Sequence, residues 1–175
     1  MELEERLAFL RSPRSVRHFS QLPVPEEYIG RILDAARWTG SARNRQPWRF
    51  RAVSDRATRT ALSRLGEYAG HLAGAPLVLV VLSEDNGRAD TEFDVGRISQ
   101  TVVLAAHALG LGSCLATLYP PANVDAAARL LRVGSMWLPH HAISIGWPAP
   151  NTSTGSSAIP VGRRSVDDLL GGREP

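Results

Sequence analysis

The run Pro76-Leu77-Val78-Leu79-Val80-Val81-Leu82 constrains this chain more than any other stretch. After its opening proline it is leucine and valine only. It is far shorter than the ~20 residues of a membrane span. An apolar run of this length without alternation reads as a strand buried on both faces. Such a strand needs an apolar layer above it and another below it.

The rest of the chain offers those layers. The longest helix candidate runs from about Thr91 to Leu109, with Phe93, Ile98, Val102, Ala105 and Leu109 near one stripe. Its second half is apolar almost all round, which predicts a central or interface position. A second helix, with Pro25 in its first turn, runs to about Trp38. It presents Tyr28, Ile29, Ile32, Leu33 and Ala36 on one face and stops at Gly40. Trp48 to Val53 alternates apolar and basic residues, the pattern of a half-buried strand. Ser54 or Asp55 caps a helix to about residue 66. Gly110 and Gly112 end the long helix. Ser113 to Leu118 is a short strand, and Pro120-Pro121 opens a helix through Leu131. His140 to Gly146 is the last core strand.

Residues 2 to 10 form a short helix with Leu3, Leu7 and Leu10 at helical spacing. Asn151 to Ala158 is a polar loop, and Val166 to Leu170 a final short segment. Helices and strands alternate irregularly, and at least one hairpin-like strand lacks a crossover helix. That favours α+β over a regular doubly wound sheet. With no repeat or internal linker, residues 1–175 read as a single domain.

Composition narrows the class. Hydrophobic residues make up 43% and charged residues 21%, which suits a soluble globular protein. The acidic start, Met1-Glu2-Leu3-Glu4-Glu5, lacks the regions of a signal peptide, so a cytoplasmic location is expected. Lone Cys114 leaves no internal disulfide and no multi-cysteine metal site. All 20 basic residues are arginine, so any anion gripped by side-chain cations meets guanidinium forks, which suit phosphate bidentately. They are scattered among 17 acidic residues for a net +3, a weak footprint for nucleic acid. No partner of that kind, and no membrane, is expected.

Neither phosphate-loop fingerprint, no H-E-x-x-H and no G-x-S-x-G elbow is present. His140 and His141 fall on opposite faces of a strand and cannot chelate one metal. Cys114, at a strand start, reads as packing. What remains is two arginine pairs, Arg14/Arg17 and Arg163/Arg164, each beside a serine (Ser15, Ser165), plus the loop Gly40 to Trp48. Together the pairs form a cage for one phosphate. Singly, each also reads as a solvated face. The loop offers Asn44 to a ring edge that both donates and accepts, and also reads as an ordinary turn.

In order along the chain these elements resemble the FMN-dependent nitroreductase family. The match runs through Arg14-Ser15-Val16-Arg17-His18-Phe19, then the Gly40 to Trp48 loop, then Ala75-Pro76-Leu77-Val78. It continues through Asp94-Val95-Gly96-Arg97-Ile98-Ser99-Gln100, Leu109 to Ser113, Ile145-Gly146-Trp147-Pro148 and Gly162-Arg163-Arg164. Pro13 stands where many members carry another arginine, Gly40 where the loop usually has proline, and no inserted helical pair lids the substrate side.

The resemblance implies an α+β three-layer sandwich, a mixed but mainly antiparallel sheet flanked by helices, in a domain-entwined homodimer. FMN would lie at the subunit interface, with NAD(P)H as co-substrate and a small-molecule electron acceptor such as a nitroaromatic or quinone, in a ping-pong cycle. Arg14, Ser15 and Arg163, with Arg164 beside them, would address the phosphate and ribityl chain. Arg17 would lie near the pyrimidine or the phosphate, Ser41 and Asn44 at the ring edge, Gln46 under the loop, and the backbone of Leu115, Ala116 and Thr117 close to the ring. The chemistry is centred on the flavin, so no side chain is assigned as acid or base. Trp48 is expected to start the core strand, with Arg43 and Arg45 toward solvent, and the segment after Gly146 to embrace the partner. Alternatives left open are other flavin chemistry on the same scaffold (deazaflavin-dependent, flavin-fragmenting or dehalogenating), a non-catalytic FMN-binding protein, and a small basic regulator.

Overall fold

A computed structural model describes residues 2–150 and 162–171. The polar loop expected at Asn151 to Ala158 lies outside the described residues. Around the apolar run the chain builds a four-stranded antiparallel sheet in the order β1-β2-β4-β3. Its strands are β1 (Trp48–Val53), β2 (Leu77–Glu84), β3 (Gly112–Thr117) and β4 (Trp137–Gly146). The one parallel contact among the described residues is a single bridge, Ser15 to Ser113, outside the named strands.

β2 is buried from Leu77 to Ser83, and its alternating side chains feed two separate cores. Val78, Val80 and Leu82 face one layer, with Leu62, Leu72, Ala116, Leu118, Ala127 and Ala142. Leu77, Leu79 and Val81 face the other, with Ile32, Val95, Ile98, Val102, Ile143 and Ile145. The second layer is covered by α2 (Glu26–Ala36) and α4 (Asp90–Ala108). The first is covered by α3 (Arg56–Leu62), a short turn at Gly70–Leu72, and α5 (Pro121–Leu131). This is the helix–sheet–helix sandwich the sequence implied.

Several boundaries differ from expectation for physical reasons. Pro25 caps α2 rather than entering its first turn. α3 ends at Leu62, four residues short. Its start is as read: Asp55 accepts the Thr58 N–H (2.7 Å). β4 begins at Trp137, ahead of His140, although Pro139 lies within it. The β2–β4 register shifts there, with Val81 opposite His141 but Ser83 opposite Leu138. A bulge tolerates a residue that has no N–H to donate. On α4 the buried stripe is Val95, Ile98, Val102 and Ala106, so Phe93 points outward at 70% exposure and Asp94 is buried in its stead. α1 (Leu3–Arg11) forms, but buries none of its residues.

The glycines of Leu109-Gly110-Leu111-Gly112 do different jobs. Gly110 adopts φ 76°, and the Leu111 and Gly110 N–H groups return to Ala106 O and His107 O (3.0 Å each). This is a Schellman closure of α4. Gly112 is required by space. A Cβ there would lie 2.7 Å from Cβ of Val16. That close approach lets the strand-like segment through Ser15 and Val16 dock on β3, where the Val16 N–H donates to Ser113 O (2.9 Å). Gly112→Ala is predicted to cost about 1–3 kcal/mol, the usual penalty of overpacking. Chemical denaturation measures it, and an unchanged midpoint contradicts this account.

Candidate functional site

The Arg14 to Arg17 segment reaches its place because β3 is an edge strand with an open side. Its two arginines part company there. Arg14 folds back and donates from Nη1 to the carbonyls of Arg11 (2.7 Å), Ser12 (3.1 Å) and Pro13 (2.9 Å), where α1 ends. It borders a cleft of about 260 Å³ with Ser12, Val16, His107 and Ser113. Arg17 lines a different cleft of about 460 Å³ with Tyr68, Gly70 and His71. Ser15 lies between them, bridged to Ser113 of β3. The structure thus sends the two members of the first arginine pair to different clefts.

Behind Arg17 sits a polar cluster that sequence reading missed. His71 Nδ1 is 2.8 Å from Ser144 Oγ, and Ser144 donates onward to Cys114 O (3.2 Å). Among the described residues His71 Nε2 is buried without a hydrogen-bond partner. Burial first, and then the Arg17 charge, hold His71 below the ordinary histidine value, against a weaker upward pull from the Leu115 backbone. Burial likewise raises the Cys114 thiol, which the positive charge of Arg17 and the Ser15 hydrogen bond only partly offset. A buried thiol held protonated is a poor nucleophile.

Arg59 fastens the turn that carries His71. It is 7% exposed and donates to the carbonyls of Ser54, Ala73 and Ala75, so it links α3 to the approach of β2. Nothing in the local sequence marks Arg59 or His71. Their roles come from a turn that brings 70–75 beside β4.

On β3, Leu115 and Thr117 are exposed and Ala116 is buried. The Leu115 side chain is 48% exposed at the sheet edge. Arg163 donates to Gly162 O (2.7 Å), and both Arg163 and Arg164 are exposed. Among the described residues no hydrogen bond or ion pair joins them to Arg14 or Arg17.

The Gly40 to Trp48 loop is a second, separate centre. It contains a short turn at Ala42–Asn44, and Arg43, Asn44 and Gln46 all have left-handed backbone (φ 53°, 55° and 51°). Ser41 Oγ accepts the Gln46 N–H (2.8 Å), and the Gln46 side chain donates to Asn44 Oδ1 (3.2 Å), so Gln46 braces the loop from within. Two carboxylates of α4 reach it. Asp94 accepts the Ala42 N–H (2.9 Å), and Arg45 pairs with Asp90 (2.5 Å). Arg45 therefore does not point to solvent, whereas Arg43 is exposed. The same contact holds the Asp90 carboxyl below its ordinary value. Trp48 is buried and starts β1.

A third cluster joins Glu92, Thr117 and His141. The His140 and His141 ring centroids lie 6.2 Å apart, and among the described residues no group of His, Cys, Asp and Glu has the geometry of a metal site. Among them, too, no helix is long and apolar enough to cross a membrane.

The profile of the Nitroreductase family matches residues 10–70 and 64–147. A Methanothermobacter thermautotrophicus protein, provisionally named an NADH dehydrogenase/NAD(P)H nitroreductase, is 32% identical over 152 residues, covering 85% of this chain and 80% of its own. A 5,6-dimethylbenzimidazole synthase of Rhodospirillum rubrum is 32% identical over 167 residues, covering 77% and 78%. An FMN-dependent nitroreductase of Clostridium difficile R20291 superposes with a TM-score of 0.77 at 26% identity, over 87% of this chain and 92% of that one. The chain belongs to the nitroreductase family and is an oxidoreductase of that type.

His71 also makes stability depend on pH in a defined direction. Its folded value lies below its unfolded one, so between the two the unfolded chain binds a proton that the native state refuses. Stability is intact above the ordinary value and falls as pH drops through that window. Unfolding free energy is predicted to decline as pH falls below about 6.5, the ordinary histidine value, in the native protein and to decline less in His71→Gln. Identical slopes in denaturant titrations contradict the assignment.

Proposed function

We propose that the chain is an FMN-dependent, NAD(P)H-using reductase whose flavin site is completed by a second copy of itself. One observation carries this reading: the sheet holds the two centres apart. The loop precedes β1, the Arg14 to Arg17 segment docks on β3, and these are opposite edges. Three inter-strand steps of about 4.8 Å separate the edges. Along the strands, Trp48 stands level with Ser83 and Leu138, whereas Ser113 stands level with Ile145. Those seven positions on β4 add about 23 Å at ~3.3 Å per residue. One tricyclic ring does not bridge that diagonal within a chain. It can touch both centres where two copies meet.

Apolar surface suited to such a homodimer is present. Leu3, Leu7 and Leu10 on α1 are 70%, 41% and 55% exposed, and Val166 and Leu169 of α6 (Val166–Leu169), with Leu170 after it, are exposed as well. Clustered exposed apolar side chains mark interaction sites.

The residues present fit a flavin. Arg14 at one cleft and Ser15 between the two clefts supply donors for a phosphate, with Arg163 and Arg164 joining from the C-terminal segment. Arg17 supplies a cation for the pyrimidine end, against the exposed edge of β3. Ser41 and Asn44 of the other copy supply a donor and acceptor for the ring edge. A flavin held there would supply two-electron hydride chemistry between a reduced nicotinamide and an acceptor such as a nitroaromatic or quinone. Arg17 would stabilise negative charge at the pyrimidine end of such a flavin, which would raise its reduction potential. The exposed edge admits donor and acceptor in turn, as a ping-pong cycle requires. The protein contributes binding, orientation and electrostatics. The whole of residues 1–175 serves this one domain, working in the cytoplasm without nucleic acid or membrane.

A second reading has its own support. The synthase relative's name contains the dimethyl-substituted benzene ring that also forms one end of a flavin, which fits the flavin-fragmenting alternative. One experiment separates the readings. Protein titrated with FMN under anaerobic conditions is predicted to elute as a yellow dimer, to lose its flavin band on adding NADH or NADPH, and to regain it in air. Irreversible loss of the band in air supports fragmentation. Absence of FMN uptake refutes both.

A further inference from the structure

We infer that Asp94 is a positioning residue for the flavin site, holding the loop that presents Asn44 in the only shape in which it can receive the ring; this rests on the flavin reading above. The loop's shape is intrinsically unfavourable. Three residues with side chains, Arg43, Asn44 and Gln46, adopt left-handed backbone within four positions. Such conformations crowd Cβ against the backbone and persist only where surrounding contacts over-determine them.

The contacts that do so come from the first two turns of α4. Asp94 is 1% exposed, yet it lies on a helix face where apolar residues occupy the neighbouring stripe. One carboxylate oxygen accepts the Ala42 N–H at 2.9 Å, and the other accepts from Arg97 Nη1 at 3.3 Å. Arg97 Nη2 in turn lies 3.1 Å from where a Cβ on Gly40 would be. The guanidinium therefore fills the space over Gly40, where a side chain would otherwise brace the turn. One buried carboxylate thus ties both ends of the Gly40 to Ala42 entry to the helix. One turn earlier, Asp90 holds Arg45, between Asn44 and Gln46. The Ser41 hydroxyl closes the loop on itself through the Gln46 N–H. Of these fasteners Asp94 alone is fully buried, so water cannot replace it.

The test uses full-length protein and two readouts. Amide hydrogen exchange in FMN-free protein reports the loop, and flavin-fluorescence quenching reports FMN affinity. Asp94→Ala is expected to speed exchange at residues 42–46 and to weaken FMN binding about tenfold or more, the effect of losing a charge-assisted hydrogen bond. Asp94→Asn keeps an oxygen for the Ala42 N–H but cannot also accept from Arg97, so both readouts should fall between wild type and Asp94→Ala. Val102→Ala, on the same helix but facing the core, controls for stability alone and should leave the affinity of folded protein unchanged. The inference is overturned if Asp94→Ala alters neither readout, if Asp94→Asn is as impaired as Asp94→Ala, or if Val102→Ala weakens FMN binding equally. FMN uptake by wild type with no Asp94→Ala effect defeats this inference alone. No FMN uptake by wild type defeats the flavin reading and this inference together.

Discussion

Burial of β2 on both faces organises everything else in this molecule. A strand of leucine and valine with its side chains in two cores must lie inside a sheet, between neighbours, with helices above and below. β1 and β4 take the flanking places, and β3 is added outside β4. The polar segments that precede β1 and dock on β3 are then forced to opposite edges. Hydrophobic burial, which has nothing to do with ligand chemistry, thereby splits the candidate site in two.

Each half is then shaped by contacts of a different kind. At the β3 edge the decisive term is steric. Gly112 admits Val16, which aligns Ser15 with Ser113 and sends Arg14 and Arg17 to separate clefts. At the β1 edge it is electrostatic. Asp94 and Asp90 hold a strained loop through charge-assisted hydrogen bonds. The charge of Arg17 also spreads into its surroundings. It adds to the burial that lowers the His71 value and partly offsets the upward push of burial on the Cys114 thiol. Among the described residues Arg17 shares its cleft with Tyr68, Gly70 and His71.

Much of the fold was legible in the residues. The Leu/Val run, the β1 alternation, the Asp55 cap and the Pro120-Pro121 start all express local physics that survives into the structure. Where reading failed, a tertiary contact had overridden a local pattern. Phe93 fits an apolar stripe loosely, but the stripe that packs is Val95, Ile98, Val102 and Ala106, which leaves Asp94 facing the loop. Pro139 argues against a strand until a bulge accommodates it. His71 and Arg59 look unremarkable until the turn at 70–75 brings them against β4 and α3. The candidate site was legible as a set of motifs in order. Its division was not, because strand order is a property of the assembled sheet and no single segment encodes it.

The central claim is that one flavin contacts Arg17 of one copy and Asn44 of the other. A crystal structure of the protein grown with FMN tests it directly. The account predicts flavin density between two copies, its pyrimidine end beside Arg17 of one protomer and its ring edge beside Asn44 of its partner. Flavin bound wholly within one chain, or at a surface remote from both residues, would contradict it.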